Sequence, residues 1–235
     1  MSPSSGNPGS APDVSIALAS SNLGSLPYET RSKLLESGTL LRVPAGGTLH
    51  REGDAAAHLQ LVVMGLLRVY VTAADGRTMT VRYCRPGSIL GAVSLFSTPF
   101  SMPAAVQAVT EAQIFAMPAG FIKDAAERDP TVARAIIDEL SDRVLSFISE
   151  IPGSAFATVR QRVARHLLDL ASAGQHGSEL TVRISQQALA DAVGTVREVV
   201  VRALRELREE GMVETGSAGT VLLDPQRLSS EAYPN

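Results

Sequence analysis

The chain has 235 residues, of which 45% are hydrophobic and 19% are charged, and its formal net charge is −3. This length suffices for two modest domains, because single cores usually mature at about 100–150 residues. The composition is that of an ordinary globular protein and excludes disordered and fibrous classes. The slightly acidic charge excludes nucleic-acid binding by overall charge alone, so any contact with DNA must depend on a local patch.

The single cysteine, Cys84, cannot form an internal disulfide, and the sequence has no Cys/His cluster that could hold zinc or an iron–sulfur cluster. We therefore expect no metal, no cofactor and a cytoplasmic location. Residues 1–12 lack the pattern of a signal peptide and are expected to form a disordered tail. No segment approaches the run of about 20 apolar residues that spans a membrane, so no membrane partner is expected.

The next segment, residues 13–128, is predicted to be a β-barrel sensor domain. After a short helix at Tyr28–Glu36, short apolar runs alternate with turn residues. Strands are predicted at Leu40–Val43, Leu59–Val63, Leu66–Val71, Met79–Tyr83, Ser88–Leu90, Ala105–Val109 and Gln113–Met117. The dipeptide Asp75-Gly76 is a strong hairpin signal between the third and fourth of these strands. This spacing predicts a small antiparallel barrel or jelly roll.

A long helix is predicted over residues 129–153, between a helix start at Asp129-Pro130-Thr131 and the breakers Pro152-Gly153. Its apolar residues recur at alternating spacings of four and three, as in paired helices. This seam consists of Ala133, Ile137, Leu140, Val144, Phe147 and Ile151. The helix could simply cover the barrel, or it could pair with the same helix of a second protomer. We favour the dimer, because further apolar residues lie off the seam and could cover the barrel.

The C-terminal segment, residues 154–235, has the pattern of a winged helix-turn-helix. A hinge at Ala155–Ala157 precedes a helix capped by Thr158, and Ser185 caps a later short helix that ends at Gly194. A second helix follows, with a predicted core face of Val196, Val200, Ala203, Leu204 and Leu207. Two short apolar runs after it, separated by a Gly/Ser turn, predict a β-hairpin wing.

The opposite face of that second helix carries Arg197, Glu198 and Arg202. Arginine can bridge guanine O6 and N7, and glutamate can accept a hydrogen bond from the cytosine amino group. A plain surface helix with solvated charges is the alternative interpretation. The preceding helix and glycine turn favour a recognition helix in the major groove.

These three residues are spaced as Arg-Glu-x-x-x-Arg. With this motif the chain resembles the family of the cyclic-AMP receptor protein and the fumarate–nitrate reduction regulator. The resemblance extends from Leu40 to Leu223. The resemblance implies an α+β fold with a barrel like that of cyclic-nucleotide-binding proteins, a dimerisation helix and a winged helix-turn-helix. It also implies a homodimer whose Arg197, Glu198 and Arg202 contact a GTGA-type palindrome in double-stranded DNA, with RNA polymerase as a further partner. Phosphate contacts are implied for Ser185 and Gln186 and expected for Thr195 and Arg205.

Family members that bind cyclic AMP carry Gly-Glu-Leu/Ile-Ala-Leu followed by Arg-Ser/Thr-Ala. In this chain the carboxylate of the first motif is replaced by Ala92 and the arginine of the second by Met102. The polar pair on the dimerisation helix is replaced by Phe147 and Ile148, although the family's arginine is kept as Arg143. The effector is therefore expected to be another small molecule, or none. The corresponding pocket would be lined by Ala92, Val93, Leu95, Met102, Pro103, Arg143, Phe147 and Ile148.

Two other classes of function fit the sequence less well. An enzyme or transport-associated protein with a cupin-like barrel would need a His-rich metal triad, a Gly-x-Ser-x-Gly motif or a phosphate-binding glycine loop, none of which occurs in the sequence. We therefore expect no catalytic residue. A ligand-binding protein that has lost DNA binding is disfavoured by the polar face of the second helix. The four histidines leave a haem-sensing relative open, but an isolated histidine is seldom a ligand, so no haem is expected.

Overall fold

The computed structural model describes residues 11–74, 76, 78–155, 157–173, 180–216 and 219–232. The chain divides into two compact units, residues 1–69 with 82–145 and residues 70–81 with 146–235. Within the described ranges, no helix combines the length and the apolar character that crossing a membrane requires.

The first unit begins with α1 (Ala11–Ala19), a 3₁₀ turn (Asn22–Ser25) and α2 (Tyr28–Ser37). The sequence predicts α2 but not α1. The first residues of α1, Ala11 and Pro12, therefore belong to a helix and not to the expected tail, whose other residues lie outside the described ranges. The physical reason is burial, because Val14, Ala17 and Leu18 lie on one side of α1 and are at most 5% exposed.

Among the described residues eight strands follow, and they include all seven that the sequence predicts. They are β1 (Thr39–Val43), β2 (Thr48–His50), β3 (His58–Met64), β4 (Leu67–Thr72), β5 (Thr78–Cys84), β6 (Ile89–Leu90), β7 (Ala105–Ala108) and β8 (Ala112–Pro118). They form two sheets with the strand orders β1-β8-β3-β6 and β2-β7-β4-β5. This arrangement confirms the predicted jelly roll. The unpredicted β2 is too short to show an alternating pattern.

The core of the first unit lies between the β1-β8-β3-β6 sheet and the helices. Leu59 and Leu61 of β3 pack there with Phe115 and Met117 of β8. Each such side chain, when fully buried, stabilises the fold by roughly 1.5–3 kcal/mol. Helix α3 (Ala119–Arg128) and the part of α4 (Pro130–Ala155) up to residue 145 complete the unit, and α4 contributes the fully buried residues Val132, Ala135 and Ile136 to this core.

The long helix α4 starts as predicted. The Asp129 carboxylate accepts hydrogen bonds from the backbone N–H and hydroxyl of Thr131, at 2.9 and 2.6 Å, and these bonds lower the pKa of Asp129. The predicted end is wrong, because α4 passes Pro152 and Gly153 and reaches Ala155. Although proline costs a helix interior about 3 kcal/mol, its φ is compatible with the helix, so an otherwise stable helix can contain it.

The second unit contains the predicted winged helix-turn-helix. Its elements are α5 (Val159–Ala173), β9 (Thr181–Val182), α6 (Gln186–Val193), α7 (Arg197–Glu209), β10 (Val213–Gly216), β11 (Gly219–Leu222) and α8 (Pro225–Ala232). The predicted wing hairpin, β10 and β11, is joined by β9, which pairs with β11. Neither β9 nor α8 was predicted. The hinge residue Phe156 lies outside the described ranges.

Candidate nucleic-acid interface

Helix α5 supports the helix-turn-helix and is capped at the residue that the sequence predicts. The Thr158 hydroxyl oxygen accepts from the N–H of Gln161 at 3.2 Å, and the Gln161 side chain accepts from the N–H of Thr158 at 2.8 Å. This reciprocal pair is a capping box, which satisfies two N–H groups that the helix itself leaves without acceptors. The apolar face of α5, with Val163 and Leu167 fully buried, faces the core of the unit.

The first helix of the motif, α6, has the predicted cap and the predicted turn. The Ser185 hydroxyl oxygen accepts from the N–H of Ala188 at 3.0 Å. At the other end, Gly194 has a φ of 71°, a left-handed conformation that favours glycine. The N–H groups of Gly194 and Thr195 both donate to the carbonyl of Ala190, so the chain turns directly into α7.

The buried face of α7 is close to the prediction. Val200, Ala203, Leu204 and Leu207 are at most 5% exposed, whereas Val196, also predicted to be buried, is 55% exposed. Val196 is the residue before the first helical turn, and its φ and ψ of −98° and 155° are extended. Its side chain therefore does not follow the helical face that the periodicity assigns to it.

The opposite face of α7 presents the three predicted base-contacting residues to solvent. Glu198 and Arg202 are exposed, and within the described part of the chain the side chain of neither makes a hydrogen bond or an ion pair. The Nε and Nη2 atoms of Arg197 each lie 3.4 Å from the side-chain oxygen of Gln186. At that distance the hydrogen bonds are weak, so the Arg197 guanidinium can be redirected to a base at little cost.

The four predicted phosphate contacts lie around this face. Ser185, Gln186 and Thr195 stand at the N-terminal ends of α6 and α7, where backbone N–H groups and the helix dipole favour anions. The Ser185 hydroxyl accepts a hydrogen bond in its cap and keeps its proton for donation to a phosphate. Arg205 is exposed and lies 3.8 Å from Glu209.

Two arginines of α5 hold the motif together, and sequence reasoning missed both. Arg162 donates to the carbonyl of Val193 at 3.1 Å and to that of Ala157 at 2.8 Å, and burial lowers its pKa. Arg160 forms two parallel hydrogen bonds with Glu210, at 2.5 and 2.8 Å, and contacts Glu231 at 3.1 Å. These bonds connect α5 to the residue after α7 and to α8. The sequence signal for both is the dense arginine pattern on the amphipathic helix α5.

Replacing Arg160 by methionine, which removes the charge and keeps the bulk, should lower the thermal unfolding temperature at pH 7. The hydrogen bonds from Arg160 lower the pKa of Glu210 below its ordinary value of 4.5. The stabilisation is therefore present above that value and is lost as the pH falls through the folded-state pKa. Calorimetry should show a wild-type–variant difference that shrinks below pH about 4. The control is Arg205→Met, which should change the unfolding temperature little, and an equal loss in both variants would contradict this role.

The residues of the predicted effector pocket lie in different environments. Ala92, Leu95 and Met102 are buried in the first unit. The others are more open, because Val93, Phe147 and Ile148 expose 51–57% of their surface and Pro103 is exposed. The single chain thus buries Ala92, Leu95 and Met102. It leaves Val93, Pro103, Phe147 and Ile148 at its surface. The pocket stays a prediction.

Arg143, the cationic residue of the predicted pocket, is already paired. It forms an ion pair with Glu139 and donates to the carbonyl of Ile89 at 3.1 Å, to which Arg82 also donates at 3.0 Å. Burial raises the pKa of Glu139, while a hydrogen bond from Asn22 and the charge of Arg82 oppose this effect. An anionic effector would therefore have to compete with Glu139 for Arg143.

The predicted dimer seam is partly exposed on α4. Ile137, Val144 and Phe147 are 55–57% exposed, whereas Leu140 is half-buried and packs against the core of its own unit. Ala133 is half-buried, and the side chain of Ile151 lies outside the described residues. Leu145 and Ile148 are exposed as well. We call the five exposed residues, Ile137, Val144, Leu145, Phe147 and Ile148, the α4 apolar face.

The remaining candidates for chemistry are not assembled into a site. Across the described ranges, no three His, Cys, Asp or Glu side chains approach closely enough to hold a metal ion. Cys84 is fully buried, and burial raises the pKa of its thiol. This environment favours the protonated, unreactive form, as expected for a small core residue.

Comparison with known proteins agrees with this description. Residues 40–129 match the family model of the cyclic nucleotide-binding domain, and residues 161–231 match that of the Crp-like helix-turn-helix domain. The transcriptional regulator LdrP of Thermus thermophilus is 31% identical over 79% of this chain and 92% of its own length. The cAMP-activated global transcriptional regulator Vfr of Pseudomonas aeruginosa is 28% identical over 77% of this chain and 87% of its own length.

The crystal structure of a CRP/FNR-family transcriptional regulator from Thermus thermophilus superposes with a TM-score of 0.69 at 25% identity, over 83% of this chain and 98% of that one. The relatives are transcription regulators and not enzymes, and both parts of the fold match in one chain. The chain therefore belongs to the CRP/FNR family of DNA-binding transcription regulators.

Proposed function

We propose that the chain acts as a homodimer that binds a GTGA-type palindrome through Arg197, Glu198 and Arg202 of each protomer. The observation that carries this proposal is the exposed polar face of α7, on which Glu198 and Arg202 have no partners among the described residues. Arginine and glutamate on such a face are complementary to the guanine and cytosine edges of the major groove. The capped N-terminal ends of α6 and α7 would fix the register by phosphate contacts.

The homodimer is supported by the α4 apolar face. Five large apolar side chains are exposed on the part of this helix whose side chains the structure describes, and such a surface usually marks an interaction site. Two copies of a helix can cover each other's apolar residues about a twofold axis. A twofold dimer would present two recognition helices to half-sites about one helical turn apart. RNA polymerase is the further partner that a regulator of this kind would contact.

The palindrome proposal is tested by fluorescence anisotropy with two duplexes of equal length and composition at one salt concentration. One duplex carries a GTGA inverted repeat and the other a scrambled sequence. Because specific binding usually exceeds non-specific binding by at least about 10³-fold, we expect a difference of that order. Equal affinities for the two duplexes would contradict the proposal.

We further propose that the effector is not cyclic AMP. Its cyclic phosphate would face Ala92 and Met102, which carry no charge, and an Arg143 that is paired with Glu139. Charge-assisted hydrogen bonds contribute roughly 1.5–3 kcal/mol each, so the loss of two of them should weaken binding by about two to four orders of magnitude. Titration calorimetry with cyclic AMP and cyclic GMP should therefore detect no micromolar binding. Micromolar affinity for either nucleotide would show that this part of the proposal is wrong.

A further inference from the structure

A cavity of about 300 Å³ lies between α1 and the β1-β8-β3-β6 sheet, outside the predicted effector pocket. Its walls come from α1, from the end of β3, from the segment after β5 and from β8. The lining residues are Asp13, Ile16, Ala17, Ser20, Val63, Met64, Pro86 and Gln113. This volume is at the lower end of the range of small-molecule pockets, which is about 300–1,000 Å³.

We propose that this cavity binds a small, mostly apolar molecule with a cationic, hydrogen-bond-donating head, such as a primary amine, and that its occupancy regulates the DNA binding proposed above. Most of the lining is aliphatic, which suits an apolar body. The accessible polar groups are the exposed Asp13 carboxylate and Ser20 hydroxyl, whereas the Gln113 side chain is fully buried in the wall. The described lining contains no lysine or arginine, so an anionic head would lose water without gaining a countercharge.

The end of α1 connects this cavity to the dimerisation helix. Ser20, which lines the cavity, donates from its hydroxyl to the carbonyl of Ala17 at 2.9 Å. Two residues later, the Asn22 side-chain amide donates to the carboxylates of Glu139 at 3.0 Å and Asp142 at 3.1 Å on α4. A molecule that displaces Ala17 and Ser20 must therefore also move Asn22 or break its hydrogen bonds to α4.

The contact on α4 lies next to the proposed dimer surface. Glu139, which accepts from Asn22, is 7% exposed and forms the ion pair with Arg143. Arg143 immediately precedes Val144 of the α4 apolar face. A change in the hydrogen bonds of Glu139 would therefore alter the packing of the helix beside that face. Because one dimer must engage both half-sites, a change in the packing at the α4 apolar face would change the affinity of the dimer for DNA.

Binding is tested with full-length protein and two probes of similar shape and opposite charge, 2-phenylethylamine and 3-phenylpropionate, by titration with NMR detection. The amine should bind and the carboxylate should not. Ile16→Lys places a like charge at the cavity from a residue that is 69% exposed, and should weaken the amine about tenfold or more. Ala19→Lys adds the same charge at an exposed residue of α1 that does not line the cavity, and should change the affinity less than about twofold. No binding of the amine, equal binding of both probes or equal effects of the two lysines would overturn the proposed site.

The regulatory step is tested by measuring DNA affinity with and without saturating 2-phenylethylamine, in the wild type and in Asn22→Ala. The amine should change the wild-type dissociation constant by about fivefold or more, and Asn22→Ala should bind the amine but lose this change. An unchanged affinity in the wild type, or an undiminished change in Asn22→Ala, would overturn the coupling. DNA binding without the amine reports on the proposed function alone. A failure of the proposed function can therefore be distinguished from a failure of the proposed regulation.

Discussion

Replacing Val144 and Phe147 of α4 by aspartate is expected to convert the homodimer into monomers. Both side chains are more than half exposed in the single chain, so the fold of each protomer should survive the change. In the proposed dimer the two copies would bury four unpaired carboxylates, each costing several kcal/mol. The dimer dissociation constant should therefore rise by at least about 10³-fold.

The measurement is the mass in solution, by sedimentation equilibrium or light scattering at micromolar protein. Ser146→Asp is the charge control, because Ser146 lies between these residues in sequence but on another side of α4. It should leave the dimer intact. The double variant should also bind the palindrome no better than a single half-site. A dimer mass that both variants retain would show that the α4 apolar face does not hold the protomers together.

Arg197→Ala is expected to have the largest effect on sequence recognition. A bidentate contact of arginine with guanine contributes about 1–3 kcal/mol of discrimination, and a dimer would lose one at each half-site. Affinity for the palindrome should therefore fall by about 2–6 kcal/mol, and the preference at that base pair should relax.

The matched control is Arg205→Ala on the same helix. Arg205 is expected to contact phosphate, so its loss should weaken palindromic and scrambled duplexes alike and reduce the dependence of affinity on salt. Affinities should be measured by anisotropy on single-base variants of the site. If Arg197→Ala lowered affinity equally for every duplex, Arg197 would not be a base-contacting residue.

The predictable parts of the structure are those that local chemistry determines. Ser185, Gly194 and Thr158 were identified as caps or turns because their side-chain or backbone preferences act within a few residues. The wing and the strands were similarly marked by turn residues between apolar runs. The face of α7 followed from helical periodicity alone, except at Val196, where the helix has not yet begun.

The features that the sequence did not predict depend on distant partners. Helix α1 is stabilised by burying Leu18 against a core that includes Leu61 and Phe115, and no local pattern announces that contact. The cavity beside α1 is equally non-local. The Glu139–Arg143 ion pair could have been predicted, because residues four apart on a helix are neighbours.

The central claim is tested most directly by selecting binding sites from a pool of randomised duplexes with the purified protein at fixed salt, followed by sequencing. The account predicts enrichment of an inverted repeat with GTGA in each half and half-site centres about one helical turn apart. In selections with the Arg197→Ala variant, the enrichment should disappear at the guanine that Arg197 contacts. Recovery of sequences without any common motif, or of a single motif without an inverted repeat, would contradict the proposal of a dimer that recognises a palindrome through α7.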